Sequence, residues 1–211
     1  MAYDLEEQEQ LDSIKDWWKE NGKLVILGVV ACALTIGAFQ GWRYYTAQQA
    51  ERAAVLFSQL DQAERTGDAK KVRDIGAQII SKYDSTPYAG MAALSAAKAS
   101  FLTGELEEAK KTLQWAIDKS REEELRDVAR LRLAGILLDE KKYDESLKLL
   151  GAKPRDTYVA LYEDLKGDVL AAQGKAEGAR AAYRLALQKS DQGGSYRQLI
   201  ELKLDALGEA K

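Results

Sequence analysis

The chain has 211 residues, close to one-third of them charged, with a formal net charge of −3, no histidine and one cysteine. Without histidine it lacks the commonest general base, the usual serine and cysteine triads and most zinc sites, so no catalytic residue, metal or cofactor is expected and an enzyme is disfavoured. Residues 1–42 hold three basic and seven acidic residues and the remainder holds 28 and 27, which leaves no basic stripe for nucleic acid.

In chain order, the first expected element is a long helix from about Gln8 to Glu64. Within it, Leu24 to Trp42 carries no charge and lies between Lys23 and Arg43. As a helix this stretch spans about 28 Å, against a hydrocarbon core of about 30 Å, and reads as a membrane anchor. Trp17 and Trp18 before it, and Trp42, Tyr44 and Tyr45 after it, sit where amphipathic rings rest at the two headgroup levels. Lys15, Lys19 and Lys23 precede the span, while Arg43 and Arg52 follow it. This small bias favours a cytoplasmic tail at 1–23, a span at 24–42 and a soluble body at 43–211 outside the cytoplasm. A cleaved leader fits poorly despite Ala31-Cys32-Ala33, because the apolar run continues through Phe39 and the region before it is long and acidic. Ala33, Gly37 and Gly41 recur every four residues and form one small-residue face. Such a face admits a close-packed partner helix, and small residues are also simply common in spans.

The body reads as helix nearly throughout, with two prolines in the whole chain and many Ala, Leu, Lys, Glu and Arg. Helices are expected near 69–83, 87–103, 105–118, 122–139, 143–150, 156–173, 175–189 and 195–208, in an all-α fold. Asp84-Ser85-Thr86-Pro87 and Lys153-Pro154 mark breaks, as does Asp191 to Ser195 with its glycine pair. Gly167 to Gly174-Lys175 has the wrong spacing for a phosphate loop, and Ala176 stands where Ser or Thr would hold magnesium. The acidic runs at Glu105–Glu108 and Glu122–Glu124 open expected helices, where negative charge complements the helix dipole.

The body is also self-similar. Aligning Ala109, Ser146 and Ala179 gives spacings of 37 and 33 residues, and a further step back reaches Val72, a period proper to helix-turn-helix solenoids. Leu165-Lys166-Gly167-Asp168, then Gln173-Gly174, then Ala179, Tyr183 and Ala186-Leu187 resemble the tetratricopeptide repeat. Gly167 and Ala179 would let the two helices of a hairpin approach closely, and the final helix would cap the stack. The unit from about 127 to 154 departs from the pattern, so its second helix is expected to be short. In tetratricopeptide stacks the first helix of each hairpin lines a groove for a peptide or partner helix. The register points Leu94, Lys98, Phe101, Leu131, Leu138, Leu161, Asp164 and Asp168 toward it. Leu94, Phe101, Leu131 and Leu138 fit equally well as core between hairpins, and the sequence leaves both readings open.

Taken over its whole length, the chain resembles the YfgM-like ancillary subunits of the bacterial Sec translocon. The carriers are the acidic start MAYDLEEQEQLDSIKDWWKENGK, the span at 24–42 and the repeat stretch from Leu165 to Gly174. The resemblance implies a single-pass inner-membrane protein with a cytoplasmic N-terminus and a periplasmic tetratricopeptide-like domain. It further implies association with SecYEG and with a periplasmic chaperone such as PpiD, with emerging secretory chains as further candidate occupants of the groove. The alternative is a membrane-tethered scaffold for another envelope assembly, since the repeat alone recurs in unrelated settings.

Overall fold

The computed structural model describes residues 2–191 and 194–208, and the side chains within them other than those of residues 2–6 and 8. Residues 192 and 193 of the expected break, and the side chains of Asp4 and Glu6 in the acidic start, lie outside the described residues. The chain divides into two units, 1–49 and 50–211.

In the first unit, helix α1 begins at Ala2; it ends at Thr66, after 65 residues. Leu24, Ile26, Leu27, Leu34, Ile36 and Phe39 are each more than half exposed. Six large apolar side chains in a row of turns with no protein over them need an apolar medium, and the helix is long and apolar enough to cross a membrane.

The second unit is a series of helical hairpins. The end of α1 precedes α2 (Ala69–Lys82); α3 (Pro87–Leu102) precedes α4 (Leu106–Lys119). Helix α5 (Glu123–Asp139) precedes α6 (Tyr143–Leu150), and a 3-10 turn at Asp156–Tyr158 leads into α7 (Val159–Ala172), followed by α8 (Ala176–Lys189) and α9 (Ser195–Ala206). Among the described residues there is no strand. Helix α6 has 8 residues where α2, α4 and α8 each have 14, as the shortened repeat predicts.

One turn recurs. Gly67, Gly104, Lys141 and Gly174 all adopt positive φ, at 73°, 80°, 62° and 75°. In each, the following N–H reaches back five residues to a carbonyl of the first helix: Asp68 to Ala63, Glu105 to Ser100, Lys142 to Leu137 and Lys175 to Leu170, at 2.8–3.0 Å. This left-handed C-cap satisfies carbonyls that the helix end would orphan, and it aims the second helix back along the first. Five residues after each turn stands Val72, Ala109, Ser146 or Ala179, all at most 2% exposed. The Ser146 hydroxyl donates to the Ala134 carbonyl at 2.8 Å, so the one polar member of the set is satisfied.

The core runs through the stack in linked clusters. Leu60, Val72, Ile79 and Ala92 join the end of α1 to α2 and α3; Leu94, Leu113, Leu133 and Leu137 join α3, α4 and α5. Leu150, Tyr162 and Val169 continue it into α7, and Tyr183 with Ile200 closes it on α9. At Gly167 the hairpin is so close that an added Cβ would stand 2.5 Å from Cδ1 and 2.9 Å from Cζ of Tyr183.

Basic side chains tie the second helices α2, α4 and α8 to the end of the helix that follows each. Arg73 on α2 meets Glu105 at 2.9 Å and Thr103 at 2.6 Å, while Lys110 on α4 meets Glu140 at 2.6 Å. Arg180 on α8 donates to the carbonyls of Leu207 at 2.8 Å and Gly208 at 3.1 Å. Gly208 has φ 71°, so α9 ends in the same conformation as the first helices of the hairpins and packs in their place.

Candidate functional site

The first helices α3, α5 and α7 lie beside one another and build one face of the domain. On it opens a cleft of about 470 Å³. Its apolar lining comes from Phe101, Leu113, Ile136, Leu138 and Leu165, and Lys98, Arg132 and Asp139 bring charge. Gly135 stands in the cleft, and a Cβ added there would meet nothing within 4 Å. Arg132 donates to the Leu94 carbonyl at 3.1 Å and Lys98 lies 3.7 Å from Glu64, so both cations are held at the domain surface.

Of the groove residues expected from the register, the structure brings Lys98, Phe101 and Leu138 together in this cleft. Phe101 is 44% exposed, a large cost in water for an aromatic ring that nothing covers. Leu94 is core instead, packed with Ala97, Leu113 and Leu133. Leu131 is half-buried against the Tyr162 cluster, which Leu138 also touches, and Leu161 is exposed. Asp164 and Asp168 are taken up within the chain. Lys203 of α9 reaches Asp164 at 2.9 Å and Asp168 at 2.8 Å, Tyr196 donates to Asp164 at 3.0 Å, and Tyr183 donates to Asp168 at 2.8 Å. Burial, reinforced by these carboxylates, pushes the Tyr183 and Tyr196 hydroxyls well above the usual phenol range. Burial works against the Lys203 charge, but the two carboxylates outweigh it and raise its pKa.

Gly135, Arg132 and Leu165 are absent from the expected set. Gly135 occupies the register of Lys98 and Asp168, 37 residues after one and 33 before the other. A search for side chains passes over the residue whose lack of one makes the space.

Elsewhere the domain's polar groups serve the fold. Asp127, 2% exposed, accepts from the Arg155 N–H at 3.0 Å and from Arg130 at 3.0 Å. Tyr162 donates to the same residue, and burial with the adjacent Asp127 charge pushes its hydroxyl up to about 12. Among the described residues no group of His, Cys, Asp or Glu is placed to hold a metal ion. In the first unit, Ala33, Gly37 and Gly41 face outward with no atom near a Cβ built on either glycine. Trp17, Trp18, Trp42, Tyr44 and Tyr45 are all at least half exposed, flanking the apolar stretch at both ends.

A family profile described as a tetratricopeptide repeat-like domain matches residues 15–209. An ancillary SecYEG translocon subunit of Neisseria gonorrhoeae is 31% identical over 211 residues, covering 98% of this chain and all of the relative. The chain belongs to the ancillary SecYEG translocon subunit family. Members of the same name from Haemophilus influenzae, at 31% over 98% of this chain and 100% of the relative, and from Escherichia coli, at 30% over 95% and 96%, match over the same extent. The similarity to this translocon-subunit family thus takes in the tail and apolar helix as well as the repeats.

Proposed function

We propose that this chain is a non-catalytic, single-pass inner-membrane protein of the Sec translocon, with residues 1–23 in the cytoplasm, 24–42 in the bilayer and 43–211 in the periplasm. The cleft around Gly135 docks a segment of a partner protein, either a periplasmic chaperone such as PpiD or an emerging secretory chain. The observation that carries this reading is an apolar, uncovered cleft on the face built by the first helices of the hairpins. The translocon names of the full-length relatives support the setting. Anchoring the domain beside the channel raises the effective concentration of the cleft for whatever leaves it, with no new contact required.

Aliphatic and aromatic walls with a few charges at the mouth suit an apolar anchor side chain of a peptide better than a free carboxylate terminus, which calls for convergent cations. The test is photo-crosslinking in cells from a probe at Phe101 or Leu138, with a second probe walked along 24–42. Adducts to a periplasmic chaperone or secretory chain from the cleft, and to channel subunits from the span, are the expected result. Adducts from the cleft to another envelope complex, or to cytoplasmic proteins, overturn it.

A further inference from the structure

Residues 7–23 of α1 carry two opposed stripes. Leu11, Ile14 and Trp18 recur at i, i+3 and i+7 with Trp17 beside them, and their exposures are 55%, 62%, 50% and 54%. Glu9, Asp12, Asp16 and Glu20 repeat at the same spacing on the other side. Lys15 meets Asp12 at 2.9 Å and Lys19 meets Asp16 at 2.7 Å, yet residues 1–23 still hold seven acids against three lysines. Gly22 gives the Trp18 indole a seat on the helix, since a Cβ there would come within 3.2 Å of the ring. Leu11 precedes Leu24 by 13 residues, about 20 Å along an unbroken helix, so the apolar stripe begins well outside the hydrocarbon.

Charge decides what can cover that stripe. A helix that lies on a membrane surface presents Lys and Arg on its polar face, because the leaflet is anionic; an acidic face is repelled from it. A second copy packed stripe to stripe would pair two tails that each hold seven acids against three lysines, at an electrostatic cost. Cytoplasmic loops of multi-spanning membrane proteins, in contrast, carry an excess of Lys and Arg and lie at this height above the bilayer. We propose that residues 7–22 form an acidic amphipathic docking helix for the Lys/Arg-rich cytoplasmic loops of a multi-spanning membrane protein. The proposal rests on the cytoplasmic N-terminus and translocon association proposed above, and names the channel as that protein.

The test uses the full-length chain in native membranes, with a photo-reactive residue in place of Ile14 on the apolar stripe or of Ser13 on the acidic one. Position 14 and position 13, the latter beside Glu9, Asp16 and Glu20, should both yield adducts to basic channel loops. The variant Glu9→Gln/Asp12→Asn/Asp16→Asn/Glu20→Gln, which keeps all three lysines and so does not weaken the topological bias, should lower the position-14 yield at least about fivefold, as should about 0.5 M salt. Adducts to lipid or to a second copy, a yield indifferent to the lost charge, or no position-14 adduct overturn the docking helix. Recovery of the channel with the tagged chain in mild detergent separates the two levels. If the channel is recovered without a position-14 adduct, the docking helix alone fails; if it is not recovered, the translocon reading fails.

Discussion

Alanine in place of Gly167 and of Gly135 should move stability in opposite directions. Both glycines lie inside first helices, so either substitution gains about 1 kcal/mol of helix propensity. At Gly135 nothing lies within 4 Å of the new Cβ, and the gain of about 0.5–1 kcal/mol should appear intact. At Gly167 the Cβ would stand 2.5 Å from Cδ1 of the Tyr183 ring and closer still to Cε1. Tyr183 is 3% exposed and its hydroxyl holds Asp168 at 2.8 Å, so the ring cannot swing aside without breaking that bond. Overpacking of this kind costs about 1–3 kcal/mol and the strained hydrogen bond about 1 more, leaving a net loss of about 1–3 kcal/mol. The assay is urea unfolding of the full-length protein in detergent, followed by far-UV circular dichroism, comparing midpoints because a solenoid need not unfold in one step. For a domain of this size each kcal/mol also shifts Tm by about 2–4 °C. Adding Tyr183→Leu should remove most of the Gly167→Ala penalty. A Gly167→Ala protein as stable as the parent would refute the close-approach reasoning.

Lys141 holds φ 62° where its three counterparts are glycine, so Lys141→Gly should raise the urea midpoint by the equivalent of about 0.5–1 kcal/mol; a lowered midpoint would count against the shared turn. Hydrogen bonds from Lys110 and Lys142 hold the Glu140 carboxyl below its usual 4.5, against the opposing effect of burial. Its contribution is therefore present above pH 4.5 and lost as pH falls through the lower folded value; Glu140→Gln should flatten that part of the stability profile, and an unchanged profile would assign the acid sensitivity elsewhere. Arg180→Ala removes the donors to the carbonyls of Leu207 and Gly208, so amides of α9 should exchange at least about tenfold faster while those of α3 to α5 stay unchanged. Uniform acceleration would mean that α9 is not a separately held cap.

Much of the fold was legible because punctuation and period agree. Pro87 starts α3, Gly104 and Gly174 close their helices, and the small residues Ala109, Ser146 and Ala179 mark where each second helix meets its first. Lys141 was not legible as a left-handed turn, since lysine carries no signal for that conformation. The candidate site was legible only in part. Register told which residues face the side of α3, α5 and α7, but not their depth: Leu94 and Leu131 share a position and differ in burial, because Leu94 faces Leu113 and Leu133. The fate of Asp164 and Asp168 was set by Lys203, 39 and 35 residues further on, a contact that exists only once α9 has folded back.

The measurement that bears most directly on the docking cleft is Gly135→Leu in the full-length protein, read by photo-crosslinking from position 101 in cells. The new side chain enters open space, so the fold should keep or raise its urea midpoint while the cleft is filled. Adducts to the periplasmic partner should then disappear while adducts from the span to the channel persist. Undiminished partner adducts from a folded, cleft-filled protein would mean that the partner docks elsewhere on the chain.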